Sequence, residues 1–285
     1  MPSLIDIRRR IRSVKNTQQI TKAMKMVSAA KLRRAQDRVI AARPYGAMLA
    51  QMLANVAAAA SDEGRLEDPL LESRPERRVL LALITSDKGL AGAFNSNLIK
   101  HAVRFIEERG AETVTIELIG RKGRDFFKRR GANVAGEQVG LAAKARYEDA
   151  AAIARRSMEM FRAGEIDGVY LLYNEFKSVM AQKLVLTRVL PIPAPEASET
   201  GGYLFEQPPA LLLKELLPKY IETEFYRALL ESVAAEHAAR MTAMEAATEN
   251  AAEMIDKLTL HMNRVRQASI TKEIIEVVSG AIAAE

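Results

Sequence analysis

The chain has 285 residues, 48% hydrophobic and 27% charged, with a net charge of +6. That is too apolar for a disordered polymer and long enough for one large or two ordinary domains. The lack of cysteine excludes disulfide staples, thiolate catalysis and thiol redox switching. No apolar run approaches the ~20 residues that span a bilayer.

Residues 3–43 contain no glycine or proline, and neither do the 61 residues from 219 to 279. Average usage of these two residues together is about 12%, so the two runs predict a very long helix at each end of the chain. The first carries a heptad seam of alternating three- and four-residue steps: Leu4, Ile7, Ile11, Val14, Gln18, Thr21, Lys25, Ser28, Leu32, Ala35, Val39 and Ala42. Up to Arg43 it holds twelve Lys/Arg against Asp6 and Asp37, so the basic excess belongs to this one helix and the rest of the chain is net acidic. The early charges and Asp6 speak against a secretory signal or a transit peptide. Pro44 and Gly46 are expected to loosen or kink the helix, and the sequence Ser61-Asp62-Glu63-Gly64 to end it.

The punctuation falls between the two runs. Residues 79–85 and 114–119 read as buried strands, 98–108 and 123–130 as helices, and 132–134 as a short strand. A helix over 147–161, a strand over 168–175 and a last strand over 185–190, stopped by Pro191, complete the insert. Strands alternating with helices predict a mainly parallel sheet covered on both faces. The loop Thr85-Ser86-Asp87-Lys88-Gly89-Leu90-Ala91-Gly92 invites a nucleotide-binding reading. It lacks both the G-x-G-x-x-G spacing and the lysine-hydroxyl ending of a phosphate loop, so a structural turn is the better expectation. Asp87 and Lys88 have no histidine or second carboxylate at a recognisable spacing. His101, His237 and His261 are scattered without metal-ligand spacing.

Pro208-Pro209 opens the final helix, with a break or kink expected at Pro218. Its seam is Met241, Met244, Thr248, Ala251, Ile255, Leu258, Met262 and Val265. Two helices that enter and leave one insert pair most simply as an antiparallel coiled coil. At 1.5 Å per residue they would extend roughly 80 and 110 Å, well past an insert roughly 35 Å across. The longer helix then overhangs its partner with a stretch that starts polar and ends apolar over 274–284. An isolated apolar helix end needs something to enclose it. The expected fold is therefore α/β: a long antiparallel coiled coil of N- and C-terminal helices (1–60 and 209–285) plus an inserted Rossmann-like domain (75–195).

Four blocks carry a family resemblance: Lys15-Asn16-Thr17-Gln18-Gln19-Ile20-Thr21-Lys22-Ala23-Met24-Lys25-Met26-Val27, Ile84-Thr85-Ser86-Asp87-Lys88-Gly89-Leu90-Ala91-Gly92-Ala93-Phe94-Asn95, Ala239-Arg240-Met241-Thr242-Ala243-Met244-Glu245-Ala246-Ala247-Thr248-Glu249-Asn250-Ala251 and Arg264-Val265-Arg266-Gln267-Ala268-Ser269-Ile270-Thr271-Lys272-Glu273-Ile274. They resemble the F-type ATP synthase gamma subunit. The resemblance implies a central rotor shaft inside a ring of three alpha and three beta subunits. It also implies an epsilon subunit and a c ring as partners, and no cofactor or catalytic site of its own. It places Met24, Lys25, Arg240, Arg266, Gln267 and Thr271 against the alpha/beta ring, and Tyr203, Leu204, Phe205 and Glu206 at the foot that meets the c ring and epsilon. The cysteine-bearing insertion of chloroplast members is lacking, which implies a bacterial enzyme on the cytoplasmic face of the inner membrane. Two other classes compete with this reading: a nucleic-acid-binding coiled coil built on the basic helix, and a nucleotide-dependent enzyme built on the insert.

Overall fold

The computed structural model describes residues 3–62, 68–141, 145–193 and 205–282. The chain forms two compact units, Met1–Ser28 with Met241–Glu285, and Ala29–Arg240. Helix α1 (Leu4–Asp62) and the last helix, α5 (Pro209–Ile282), each contribute to both. Ser3 caps α1. Its hydroxyl accepts the Asp6 N–H at 3.2 Å while the Asp6 carboxylate accepts the Ser3 N–H at 3.2 Å, the reciprocal bonding of a capping box.

In the first unit, every predicted seam residue of α1 from Leu4 to Ser28 and of α5 from Met241 to Val265 is buried or half-buried. Thr21 and Thr248 bring their hydroxyls within 2.8 Å, and Lys25 meets Glu245 at 2.5 Å. Partner numbers fall on α5 as they rise on α1, so the pairing is antiparallel. The small and hydroxyl-bearing residues of the seam set its geometry, because they let the two backbones approach closely.

The second unit holds a five-stranded sheet in the order β3-β2-β1-β4-β5. Its strands are β1 (Val79–Ile84), β2 (Val114–Ile119), β3 (Val134–Gln138), β4 (Gly168–Phe176) and β5 (Gln182–Leu190). The first four are parallel, and β5 returns antiparallel along β4. Central β1 is buried at every residue, as a strand covered on both faces must be. The crossover helices are α2 (Phe94–Arg109), α3 (Arg121–Lys128) and α4 (Tyr147–Arg162). Right-handed crossovers place α2 and α3 on one face and α4 on the other.

Two expectations needed correction. The third strand lies at Val134–Gln138, beyond the predicted 132–134. Its residues Ala135 and Gly136 give no apolar run. Gly136 is required because an added Cβ would come within 2.6 Å of Glu117 Oε2, where that carboxylate meets Arg156. No break falls at Pro218: α5 is continuous through it, as α1 is through Pro44. Leu213 and Leu217, 2% and 0% exposed, anchor the turns around Pro218. Their burial outweighs the roughly 3 kcal/mol a helix-interior proline costs.

Gly120 turns the chain from β2 into α3 at φ +100, and a Cβ there would lie 2.6 Å from the Thr85 carbonyl carbon. Gly131, at φ +64, has nothing within 4 Å. Gly120→Ala is therefore expected to cost about 3 kcal/mol, from strain plus overlap, and Gly131→Ala about 1 kcal/mol, from conformation alone. Urea unfolding of the two variants checks this; equal losses would contradict it.

Candidate functional site

The loop after β1 is the first place to seek chemistry, since open α/β sheets bind ligands beyond the carboxyl ends of their strands. Here that loop spends its polar groups internally. Thr85, 3% exposed, donates to the Ile119 carbonyl at 3.1 Å and accepts the Gly123 N–H at 2.9 Å. Ser86 is bonded to Asn95 and to the Lys88 carbonyl. Asp87 accepts N–H bonds from Arg121, at the start of α3, and from Gly140, both at 3.0 Å. A carboxylate of the chain itself thus takes a helix N-terminal seat suited to a phosphate.

The crevice is filled as well. Leu229, Ser232, Val233 and Glu236 of α5 lie against Ile84, Thr85, Ile119 and Gly120, leaving about 10 Å³, room for one water at most. A nucleotide cannot enter there, so the reading of an enzyme built on the insert fails at its own site.

Arg240, expected against the alpha/beta ring, is 7% exposed within this arrangement. Its guanidinium donates to the Gly89 carbonyl at 3.2 Å, to the Lys88 carbonyl at 3.3 Å and to Glu236 at 2.6 Å. Burial pushes the Glu236 carboxyl up, against the pull of Arg240. Burial, with the charges of Arg240 and Lys31, pushes the neighbouring His237 ring down to about 4.

Glu236 is one of three buried glutamates on α5. Glu222, 3% exposed, accepts from Tyr147 at 2.6 Å and Arg155 at 2.7 Å. Burial opposes its charge, but those bonds and Lys219 prevail and hold its pKa below the usual range. Glu231, also 3% exposed, binds Arg43 and the Phe176 N–H. Together they tie α5 to α4, α1, the end of β4 and, through Arg240, the β1 loop. The residue-by-residue reading missed this set, although a signal was present: Glu222, Glu231 and Glu236 recur among the apolar residues of one long helical run.

The other predicted residues lie apart from this cluster. Met24 is half-buried in the seam region, and Lys25 is half-exposed beside Glu245. Arg266, Gln267 and Thr271 are exposed on α5 beyond its paired seam, with the Thr271 hydroxyl donating to the Gln267 carbonyl at 2.9 Å. Phe205 and Glu206 are exposed. Tyr203 and Leu204 lie outside the described residues. The basic side chains Arg8, Arg9, Arg10, Arg12, Lys15 and Lys22 are all exposed.

A two-helix coil formed by the chain's own ends, with the ligand crevice of the insert plugged, defines a structural element of a larger machine. The family model that matches, over residues 3–284, is that of the ATP synthase. The chain is 73% identical to the ATP synthase gamma chain of Solibacter usitatus and 52% identical to that of Pelotomaculum thermopropionicum, in both cases over the whole of both chains. Its fold resembles a chain of the Euglena gracilis mitochondrial ATP synthase, with a TM-score of 0.69 and 20% identity over 98% of this chain and 94% of that one. It also resembles a chain from the central stalk and c ring of the Tetrahymena thermophila enzyme, with a TM-score of 0.64 and 26% identity over 80% of this chain and 99% of the other. The chain belongs to the ATP synthase gamma-chain family. It acts as the rotor subunit of that synthase and has no catalytic site of its own. No helix among the described residues is long and apolar enough to cross a membrane.

Arg240→Ala strands Glu236 in the interior and removes a donor from the Gly89 and Lys88 carbonyls, of which the latter keeps its bond from Ser86. The expected loss of stability is about 3–5 kcal/mol, against less than about 1 kcal/mol for Lys25→Ala at the half-exposed pair; chemical denaturation of both variants checks the ranking. His237 has a second consequence. The folded ring stays neutral down to about pH 4, whereas the unfolded ring takes up a proton near pH 6.5. Its contribution is therefore fully present above pH 6.5 and lost as pH falls toward 4. A His237→Gln variant should lack that part of the pH dependence, and an unchanged stability profile would contradict the assignment.

Proposed function

We propose that this chain turns inside a ring of three alpha and three beta subunits and carries torque between a rotating c ring and the catalytic sites of beta. Residues 1–60 and 209–285 form the shaft, and 75–195 form a domain outside the ring, near the cytoplasmic face of a bacterial inner membrane. The observation that carries this reading is α5 beyond its paired seam. Ile270, Ile274, Ile275, Val277 and Val278 are 49%, 58%, 59%, 72% and 51% exposed on one helix. Such a helix end is not stable in water and calls for an enclosing sleeve. Apolar side chains suit a sleeve in which the helix turns, because they make no directional bonds to break at each angle.

In this reading Met24, Lys25, Arg266, Gln267 and Thr271 face the alpha/beta ring. Long basic side chains on α1 add screened, non-directional attraction to acidic loops. Arg240 takes part by holding the Lys88–Gly89 carbonyls, beside Leu90, which is 62% exposed. Tyr203, Leu204, Phe205 and Glu206 form the foot toward the c ring and epsilon.

Arg266→Ala combined with Thr271→Val removes two exposed polar contacts. ATP hydrolysis by the complex reconstituted with alpha and beta should fall about tenfold, the effect of losing one charge-assisted bond, while the chain's own melting temperature stays unchanged. Full activity of the variant complex would remove these residues from the contact. Failure of the chain to join alpha and beta at all would remove the shaft reading.

A further inference from the structure

The face of the sheet that carries α2 and α3 holds a feature the rotor role does not use. Helix α2 commits one apolar row to the core: Phe94, Leu98, Ala102 and Phe105 are all buried. It carries a second apolar row, Ile99 and Val103, one turn apart and only half-buried. Phe126 of α3, also half-buried, joins them. Together these three floor a groove of about 820 Å³ that follows α2 from Asn95 to Glu107, roughly 18 Å at 1.5 Å per residue.

The rims of the groove are basic. Five cationic side chains line it against two carboxylates. One of the carboxylates, Asp125, is already paired with Arg124 at 2.7 Å. On α2, Lys100 and Arg104 stand one position after the floor residues and repeat their spacing. Just past the end of α3, Arg130 lies over the Phe126 ring at 3.7 Å, with Arg129 beside it. Among the described residues, Lys100, Lys122 and Arg129 have no ion-pair partner.

We propose that this groove docks an acidic amphipathic helix of a partner polypeptide. Apolar side chains one turn apart would rest on Ile99, Val103 and Phe126, and flanking Asp or Glu would meet Lys100, Arg104 and Arg129. The shape sets this occupant apart from a small anion. The trough is open along its length and its cations are exposed, so no buried polar group converges to fix a compact ligand. The concave floor sets it apart from a lipid surface, which a flat or convex basic patch would fit. The inference goes beyond the rotor reading and does not rest on it.

The test uses the full chain and fluorescence anisotropy. The probe is a fluorescein-labelled amphipathic peptide of about fifteen residues, Leu on one face and Glu on the other, matched to the groove length. The peptide should bind, and its counterpart with Lys for Glu should not. Affinity should fall about tenfold or more in a Lys100→Glu/Arg129→Glu variant, in a Val103→Asp variant, and when salt is raised to about 0.5 M. Thermal melts of the variants establish that they remain folded. The proposal is overturned if the acidic peptide does not bind, if folded variants bind it equally well, if ATP displaces it, or if phosphatidylglycerol vesicles bind this face and the peptide does not.

Discussion

The structure depends on one segment of α5, residues 221–240, being buried almost all round. Ile221, Ala234, Ala235 and Ala238 are 0% exposed, and Phe225 is 1%. A helix buried on every side belongs to a core, not to a surface stripe. This segment occupies the crevice at the carboxyl ends of β1 and β2, the place where a sheet of this topology would hold a ligand. Packing alone would fix its depth but not its rotation about its own axis. Glu222 and Glu231, bonded to α4, α1 and the end of β4, and Glu236, acting through Arg240 on the β1 loop, fix that rotation. Leaving any of these carboxylates unpaired would cost several kcal/mol. The α/β insert is thereby converted from a binding fold into a mount for a helix.

The first unit is built on the opposite plan. Its seam rests on Ile7, Thr21, Ser28, Met244 and Ala251, its one interhelical ion pair among the described residues is half-exposed, and its outer face is studded with exposed cations. Small seam residues bring the two backbones close. Exposed lysines and arginines interact with surroundings through screened, long-range forces rather than fitted pockets. These properties suit a part that must meet many orientations of a partner in succession. The second unit, with its buried charge clips, suits a part that must not yield.

The coil and most of the insert were legible in the sequence for a clear physical reason. Heptad spacing and continuous apolar runs report burial directly, so the seam residues from Leu4 to Val265 and the second strand at Val114–Ile119 fell where expected. What escaped was decided by tertiary partners. Ala135 and Gly136 do not look like a strand; Gly136 is there because Glu117 and Arg156 meet beside it. Pro44 and Pro218 carry a local penalty that packing overrides. Arg240, matched by family resemblance to a position that touches the ring, also bonds the Lys88 and Gly89 carbonyls, and no one-dimensional pattern could have shown that. Arg266, Gln267 and Thr271 stand exposed on α5.

In its complex this chain is expected to rotate. The chain has no cysteine, and Met180, 81% exposed at the turn between β4 and β5, offers a single labelling position. A bead attached through Met180→Cys, on an alpha/beta/gamma complex fixed to a surface by its beta subunits, should rotate continuously in one direction when ATP is added and stop when ATP is withdrawn. A complex that hydrolyses ATP at its full rate while the bead only fluctuates about a fixed angle would contradict the account.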